Sequence, residues 1–230
     1  MPRSVLVFDV NETLLDLAAL DPVFAGIFGD NAARREWFQQ VLQSAFLATI
    51  TDAYADFGEI GGTALAMVGE RRGVAIGDGE RSAVREGMRR LPAHPDARPA
   101  LERLRGDGFR LATLTNNPLT TVQAQLDHAG LADLFEVVCS ADEVRRLKPA
   151  PEPYRMAAAR LGVSASAICL VAAHGWDVAG AMRAGCAAAF VARPGQLLDP
   201  LAPTPDLVGR DLLHVADQVI AALTSDVMPR

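Results

Sequence analysis

The chain has 230 residues, half of them hydrophobic, and a formal net charge of −6. That is enough apolar material for one sizeable core, or a core carrying a smaller inserted domain, and it excludes a disordered chain. The acidic balance argues against a general nucleic-acid surface, and no apolar run approaches the ~20 residues of a membrane span.

The first sixteen residues carry the sharpest signal. Val5-Leu6-Val7-Phe8 predicts a strand buried on both faces, and it runs into Asp9-Val10-Asn11-Glu12-Thr13-Leu14. This apolar run is too short, and Asp9 interrupts it, for a signal peptide. A carboxylate here lies at the carboxyl edge of a parallel sheet, where open α/β folds place ligands. Kept ionised by a cation and screened from bulk water, it can act as a nucleophile; the plainer reading makes it the N-cap of a following helix. Residues 17–90 then show helical spacing (Trp37, Val41, Phe46, Ile50; Ala64, Met67, Val68) and no strong strand.

Pro92, Pro95 and Pro99 mark a return to a different pattern, in which apolar runs alternate with helical stretches as in βαβ units. The runs are 109–115, 134–139, 168–173 and 187–192, and the helical stretches 119–129, 153–161, 177–184 and 212–223. Gly130, Gly162 and Gly185 stand where a left-handed stop belongs, and the proline-rich 193–206 reads as a surface connection. Cys139, Cys169 and Cys186 are odd in number, widely spaced and without metal-ligand spacing; they read as buried thiols of a cytoplasmic protein. The expected architecture is α/β: a Rossmann-like, mainly parallel sheet core from 1–16 and 91–230, with a helical module inserted at 17–90.

Three further segments fall at ends of predicted strands. Leu114-Thr115-Asn116-Asn117-Pro118 offers a hydroxyl, two amides and the N–H groups opening a helix, which suit an anion or simply a turn. Arg146-Leu147-Lys148-Pro149 holds one lysine in a proline-stiffened loop, where it either pairs with Asp9 and lowers its pKa or faces solvent. In Ala173-His174-Gly175-Trp176-Asp177, Asp177 either caps a helix or supports Lys148 and a hydrolytic water. His174 has a pKa suited to proton transfer but no evident orienting partner, and Trp176 either walls a pocket or packs.

The order Asp, Thr-Asn, Lys-Pro, Asp, all at strand ends, resembles the haloacid dehalogenase superfamily of hydrolases, and the helical insertion looks like its cap domain. The spacing Lys148-Pro149…Tyr154 and the run Trp176-Asp177…Gly180-Ala181 are similar to its type II, L-2-haloacid dehalogenase branch, over residues 5–191. The resemblance implies Asp9 as nucleophile, Thr13 as its orienting group, and Lys148 and Asp177 as the surrounding charged set, to which His174 is added as a catalytic candidate on its own chemistry. It also implies Thr115 and Asn116 at the substrate end with Tyr154 lining the site, and Val10, Asn11 and Trp176 join them as substrate-binding candidates by position. No cofactor and no metal are expected. The partners implied are a small anionic substrate and a second copy in a homodimer, with no nucleic acid or membrane.

Most of the superfamily are magnesium-dependent phosphatases, with a second aspartate two residues after the nucleophile and an acid in a Gly-Asp pair after the fourth core strand. Here those positions hold Asn11 and the Ala172-Ala173 pair. An amide has no titrating proton to give, and a magnesium ion wants more hard oxygen than Asp177 supplies. Both losses favour the reaction that the resemblance implies, 2-haloacid plus water to 2-hydroxyacid plus halide through an ester on Asp9, with the (S)-2-haloacid dehalogenases as the branch it resembles. Two departures from the branch stand out. Asn11 replaces the usual tyrosine, and no arginine or lysine lies within 37–57 to hold the halide, leaving Asn116, Gln39, Gln40 and Gln43 as weaker neutral donors. His174 stands where a small polar residue is usual. A phosphatase with an atypical metal site and a catalytically silent small-acid binder are the alternatives.

Overall fold

The computed structural model describes residues 5–226, so the outermost parts of the expected core, 1–4 and 227–230, lie outside the described residues. The strands are β1 Val5–Phe8, β2 Arg110–Thr115, β3 Val137–Ser140, β4 Ile168–Ala172, β5 Ala187–Val191 and β6 Leu207–Gly209. They form one parallel sheet in the order β3-β2-β1-β4-β5-β6. The helices are α1 Asp21–Phe28, α2 Ala32–Ile50, α3 Phe57–Arg72, α4 Asp78–Arg89, α5 Ala97–Gly106, α6 Leu119–His128, α7 Pro151–Leu161, α8 Gly175–Arg183 and α9 Leu212–Asp226.

β1 is central, with Val5 opposite Arg110 on one side and Ile168 on the other. Leu6 and Phe8 enter the core shared with α5, α6 and α9, while Val5 and Val7 enter the one shared with α7 and α8. Covering on both faces is what an uninterrupted apolar run requires. The chain winds outward in opposite directions from β1, through β2 to β3 and through β4 to β6. The crevice at the carboxyl end of β1 is therefore the switch point where such sheets bind ligands.

The chain leaves the sheet and returns to it side by side: Asp16 N–H donates to Pro92 O and His94 N–H to Leu14 O, both at 2.8 Å. Between these crossings every regular element is helical. Trp37 joins three of them, its ring 5.2 Å from Phe24 of α1 and its Nε1 donating to Gly61 O of α3 at 2.9 Å. The buried stripe follows Trp37, Val41 and Ala45 on α2 and Ala64, Leu65 and Val68 on α3. The sequence spacing overran it: Ile50 is 82% exposed, and Met67 faces outward as well.

Two elements have no counterpart in the sequence reading. α5 carries Pro99 at its third position, tolerated because first-turn N–H groups have no intrahelical acceptor. β6 is a three-residue edge strand in the expected surface connection, paired to β5 in parallel. The three cysteines are buried thiols. Among the described residues no helix is long and apolar enough to cross a membrane.

Candidate active site

Asp9 continues β1 by one residue, its N–H donating to Val171 O at 3.0 Å. The chain then doubles back, with the N–H groups of Leu14 and Leu15 both reaching Val10 O. Glu12 at the bend has φ +60°, the left-handed region that a residue with a Cβ rarely occupies. The bend brings Thr13 Oγ1 within 2.8 Å of Asp9 Oδ2. Ala173 N–H donates to that same Oγ1 at 2.9 Å, which leaves the hydroxyl proton for the carboxylate. Asp9 is therefore no N-cap; Asp16 is, accepting from Ala18 N–H ahead of a short 3₁₀ turn.

Lys148 lies 139 residues from Asp9 in sequence and 2.9 Å from its Oδ1. It also donates to Leu114 O at 2.8 Å and Asp177 Oδ2 at 2.6 Å, so all three ammonium protons are used in a place only 1% exposed. Asn116 fixes the backbone beneath it, accepting from Lys148 N–H at 2.8 Å and donating to Lys148 O at 3.3 Å. Tyr154 of α7 donates to Asp177 Oδ1 at 2.5 Å. Asp177, in the first turn of α8, is thus occupied at both oxygens and completely buried. Gly180 permits this approach, since a Cβ there would sit 2.5 Å from Pro149 Cβ and 2.7 Å from Tyr154 Oη.

His174 corrects the sequence reading twice. It has two orienting partners, with Nδ1 3.0 Å from Asp9 Oδ2 and Nε2 2.9 Å from Glu12 Oε2. Burial would lower its pKa, but hydrogen bonds to Asp9 and Glu12 outweigh burial and push it up to about 9. The ring is thus an imidazolium at neutral pH. Trp176 stacks on it at 5.2 Å, and Phe38 of α2 lies 6.0 Å away. Glu12 also accepts from Gln196 at 3.0 Å, and the buried Arg34 guanidinium stands 3.9 Å off.

Burial would raise the Asp9 carboxyl, yet the Lys148 charge and the His174 hydrogen bond hold it well below the usual carboxylate range. Asp177 moves the other way, raised by burial and by the Asp9 charge against the pull of Lys148. Lys148, despite its burial, is held protonated by Asp177 and Asp9. Of the two carboxylates sharing one ammonium, Asp9 is the stronger acid.

The remaining expected residues divide. Val10 packs its side chain in the core. Asn11 accepts from Gln125 Nε2 at 3.2 Å, and Thr115 accepts from Asn117 N–H. Gln39 and Gln43 are exposed, and Gln40 is bound to Ser44 and Arg71. Trp176 Nε1 is buried without a hydrogen-bond partner. A cavity of about 980 Å³ opens between α2, α3 and α4, lined by Trp37, Phe38, Val41, Phe57, Val84 and Asn117. Glu12 and Arg34 were missed by sequence reasoning. An acid in the turn after a strand carries no mark of burial, and Arg34 precedes the stretch in which a cation was sought.

The site does not suit the divalent ion of the phosphatases. The Lys148 ammonium already bridges Asp9 and Asp177, His174 takes the other Asp9 oxygen, and Asn11 is engaged by Gln125. Among the described residues no group of three His, Cys, Asp or Glu is placed to hold a metal.

A family model of haloacid dehalogenase-like hydrolases matches residues 4–185. The chain is similar to haloacetate dehalogenase H-2 of Moraxella sp. (strain B), 32% identical across 88% of this chain and 92% of that protein. It is also similar to (S)-2-haloacid dehalogenase of Pseudomonas sp. (strain YL), 29% identical across 87% and 88%. Among solved structures it matches L-2-haloacid dehalogenase from Xanthobacter autotrophicus with chloropropionic acid covalently bound, with a TM-score of 0.89, 26% identity, and 94% and 98% of the two chains covered.

Proposed function

This chain belongs to the haloacid dehalogenase-like hydrolases, and on that premise we propose that it converts (S)-2-haloacids and water to 2-hydroxyacids and halide, without a metal, through an ester on Asp9. The observation that carries this reading is the state of Asp9. It is a carboxylate held ionised by Lys148 and His174 at the ligand edge of the sheet, with neutral Asn11 where a phosphatase keeps its acid. Oδ2 takes two hydrogen bonds and Oδ1 one, so Oδ1 is the freer nucleophile. It attacks C2 from the side opposite the halogen, and halide departs unprotonated. Water then adds to Cγ of the ester, and the charge that develops on Oδ2 meets Thr13 and His174.

The halide needs a donor in place of the absent arginine. Trp176 Nε1 supports that role, being a buried N–H without an acceptor on the ring stacked against His174. Asn116 and Tyr154 hold Lys148 and Asp177 in place. Residues 17–90 act as a cap over the core, and the cavity among their helices, which reaches toward the site at Phe38 and Asn117, is the space proposed for the substituent on C2. We further propose a cytoplasmic homodimer formed through α2, where Leu47 and Ile50 present apolar surface, with sedimentation as its check.

Halide release from (S)-2-chloropropionate, with no phosphate release from a generic phosphate ester, is the expected result. A single turnover in H₂¹⁸O places the label in Asp9, and Asp9→Asn leaves no more than trace activity. Phosphate release, or an unlabelled Asp9, overturns the reading.

A further inference from the structure

We infer that Glu12 and His174 form a catalytic dyad for the second half-reaction, in which Glu12 holds the imidazole so that Nδ1 accepts the proton of the water that cleaves the Asp9 ester. This rests on the ester mechanism above and adds the base for its second step.

The alternative base, Asp177, is poorly placed. Both its oxygens are engaged, by Lys148 and Tyr154, and it has no exposed surface. His174 Nδ1 is 3.0 Å from an oxygen of the very carboxyl group that must be attacked. Its other nitrogen meets Glu12, whose side chain is 20% exposed and so reaches solvent. Asp9, His174 and Glu12 make a line from the nucleophile to the outside.

The charged groups around the ring explain how one histidine can be a cation before the reaction and a base during it. Asp9 faces it from the end of β1 and Glu12 from the following turn. Lys148 lies beyond Asp9, Asp177 lies on α8, and Arg34 approaches Glu12 from α2. In the free enzyme the two carboxylates hold the imidazolium. Esterification turns Asp9 neutral and removes one of them, while burial and the Lys148 charge persist. The imidazolium then gives its Nδ1 proton to water entering on the Asp9 side, while Nε2–H stays bonded to Glu12, and a bare lone pair is left at Nδ1.

The steps balance. Ester formation breaks C–X, forms C–O and expels halide, after which His174 releases one proton. Water adds its oxygen to Cγ and one proton to Nδ1, and the restored Nδ1–H faces the oxyanion on Oδ2. Collapse breaks the bond between C2's oxygen and Cγ, and the second water proton passes to that departing oxygen. Ionised Asp9 and protonated His174 are regenerated. The sum is haloacid plus water to hydroxyacid, halide and one proton.

The test separates the two halves. Wild type, Glu12→Gln and His174→Asn are mixed with 2-bromopropionate in rapid-quench experiments that follow halide release, with mass analysis of the peptide containing Asp9. Both variants are expected to release about one halide per site in a burst within about tenfold of the wild-type rate. Steady turnover then falls by at least about 10²-fold, and the ester mass accumulates. Imidazole added to His174→Ala restores ester breakdown. The inference fails if correctly folded variants lose the burst itself, if they turn over like wild type, or if ester accumulates in Asp177→Asn but not in Glu12→Gln. Absence of halide release from the wild type would instead strike the proposed function.

Discussion

The two oxygens of Asp9 look onto unlike surroundings. Oδ1 meets a sealed flank, Lys148 with Leu114 O, Asp177 and Tyr154, in which every proton has an acceptor and no group reaches water. Oδ2 meets Thr13 and His174, and behind His174 stands a half-buried Glu12. Both flanks neutralise the same carboxylate. Only the second reaches solvent, through Glu12, so on the proposed mechanism the first sets the charge of Asp9 and the second serves the hydrolytic step.

Breaking the sealed flank has the largest expected effect. Lys148→Met leaves Asp9 and Asp177 facing one another in the interior, which costs about 3–5 kcal/mol of stability and about 10³-fold or more in halide release. Denaturant titration and initial rates check both, and a variant within tenfold of wild type would show that the flank does not set the charge.

The open flank is sharpened by pH. The pKa of His174 is raised from 6.5 to about 9, so its contribution to stability is full below about 6.5 and is lost as pH rises through about 9. That loss is on the order of 3 kcal/mol. His174→Asn should flatten the decline in unfolding free energy across this window; an unchanged decline would mean that the ring carries no extra proton.

Smaller changes probe the edges of the site. Trp176→Phe keeps the ring stacked on His174 but removes the N–H, and product inhibition by bromide should weaken ten- to a hundredfold, about 1.5–3 kcal/mol. Lengthening the substrate from 2-bromopropionate to 2-bromohexanoate should raise kcat/KM about tenfold by burying methylenes in the cavity, and Val41→Trp should reverse the order. A flat series would place the substituent elsewhere. Exhaustive EDTA treatment should change nothing, because Lys148 already bridges the two carboxylates.

The place of Asp9 was legible in the sequence, its sealed flank came with the family resemblance, and the open flank was not read. Val5–Phe8 is apolar without interruption, which states its burial on both faces and so places Asp9 at the sheet edge. A lone lysine in the proline-stiffened loop beyond another strand either pairs with it or faces solvent, and the family resemblance is what favoured the pair. Glu12 gave no such cue, because its burial comes from a left-handed backbone and from a histidine 162 positions away. The same limit hid β6, three residues whose strand geometry exists only by pairing with β5. It also hid the orientation of the glutamines, since Gln39 and Gln43 differ from Gln40 only in which face of α2 they occupy.

The three acceptors of Lys148 have a consequence for assembly. Leu114, Asp9 and Asp177 belong to β2, the end of β1 and α8, and they meet only when those pieces are correctly docked. A slip of β1 by one residue against its neighbours would turn Asp9 to the opposite face and strand a charged amine in the interior. Misassembled chains carry that burden and correctly assembled ones do not. The buried charge cluster thereby proofreads the sheet on which it is mounted, and a molecule stable enough to persist is one whose Asp9 is already in position.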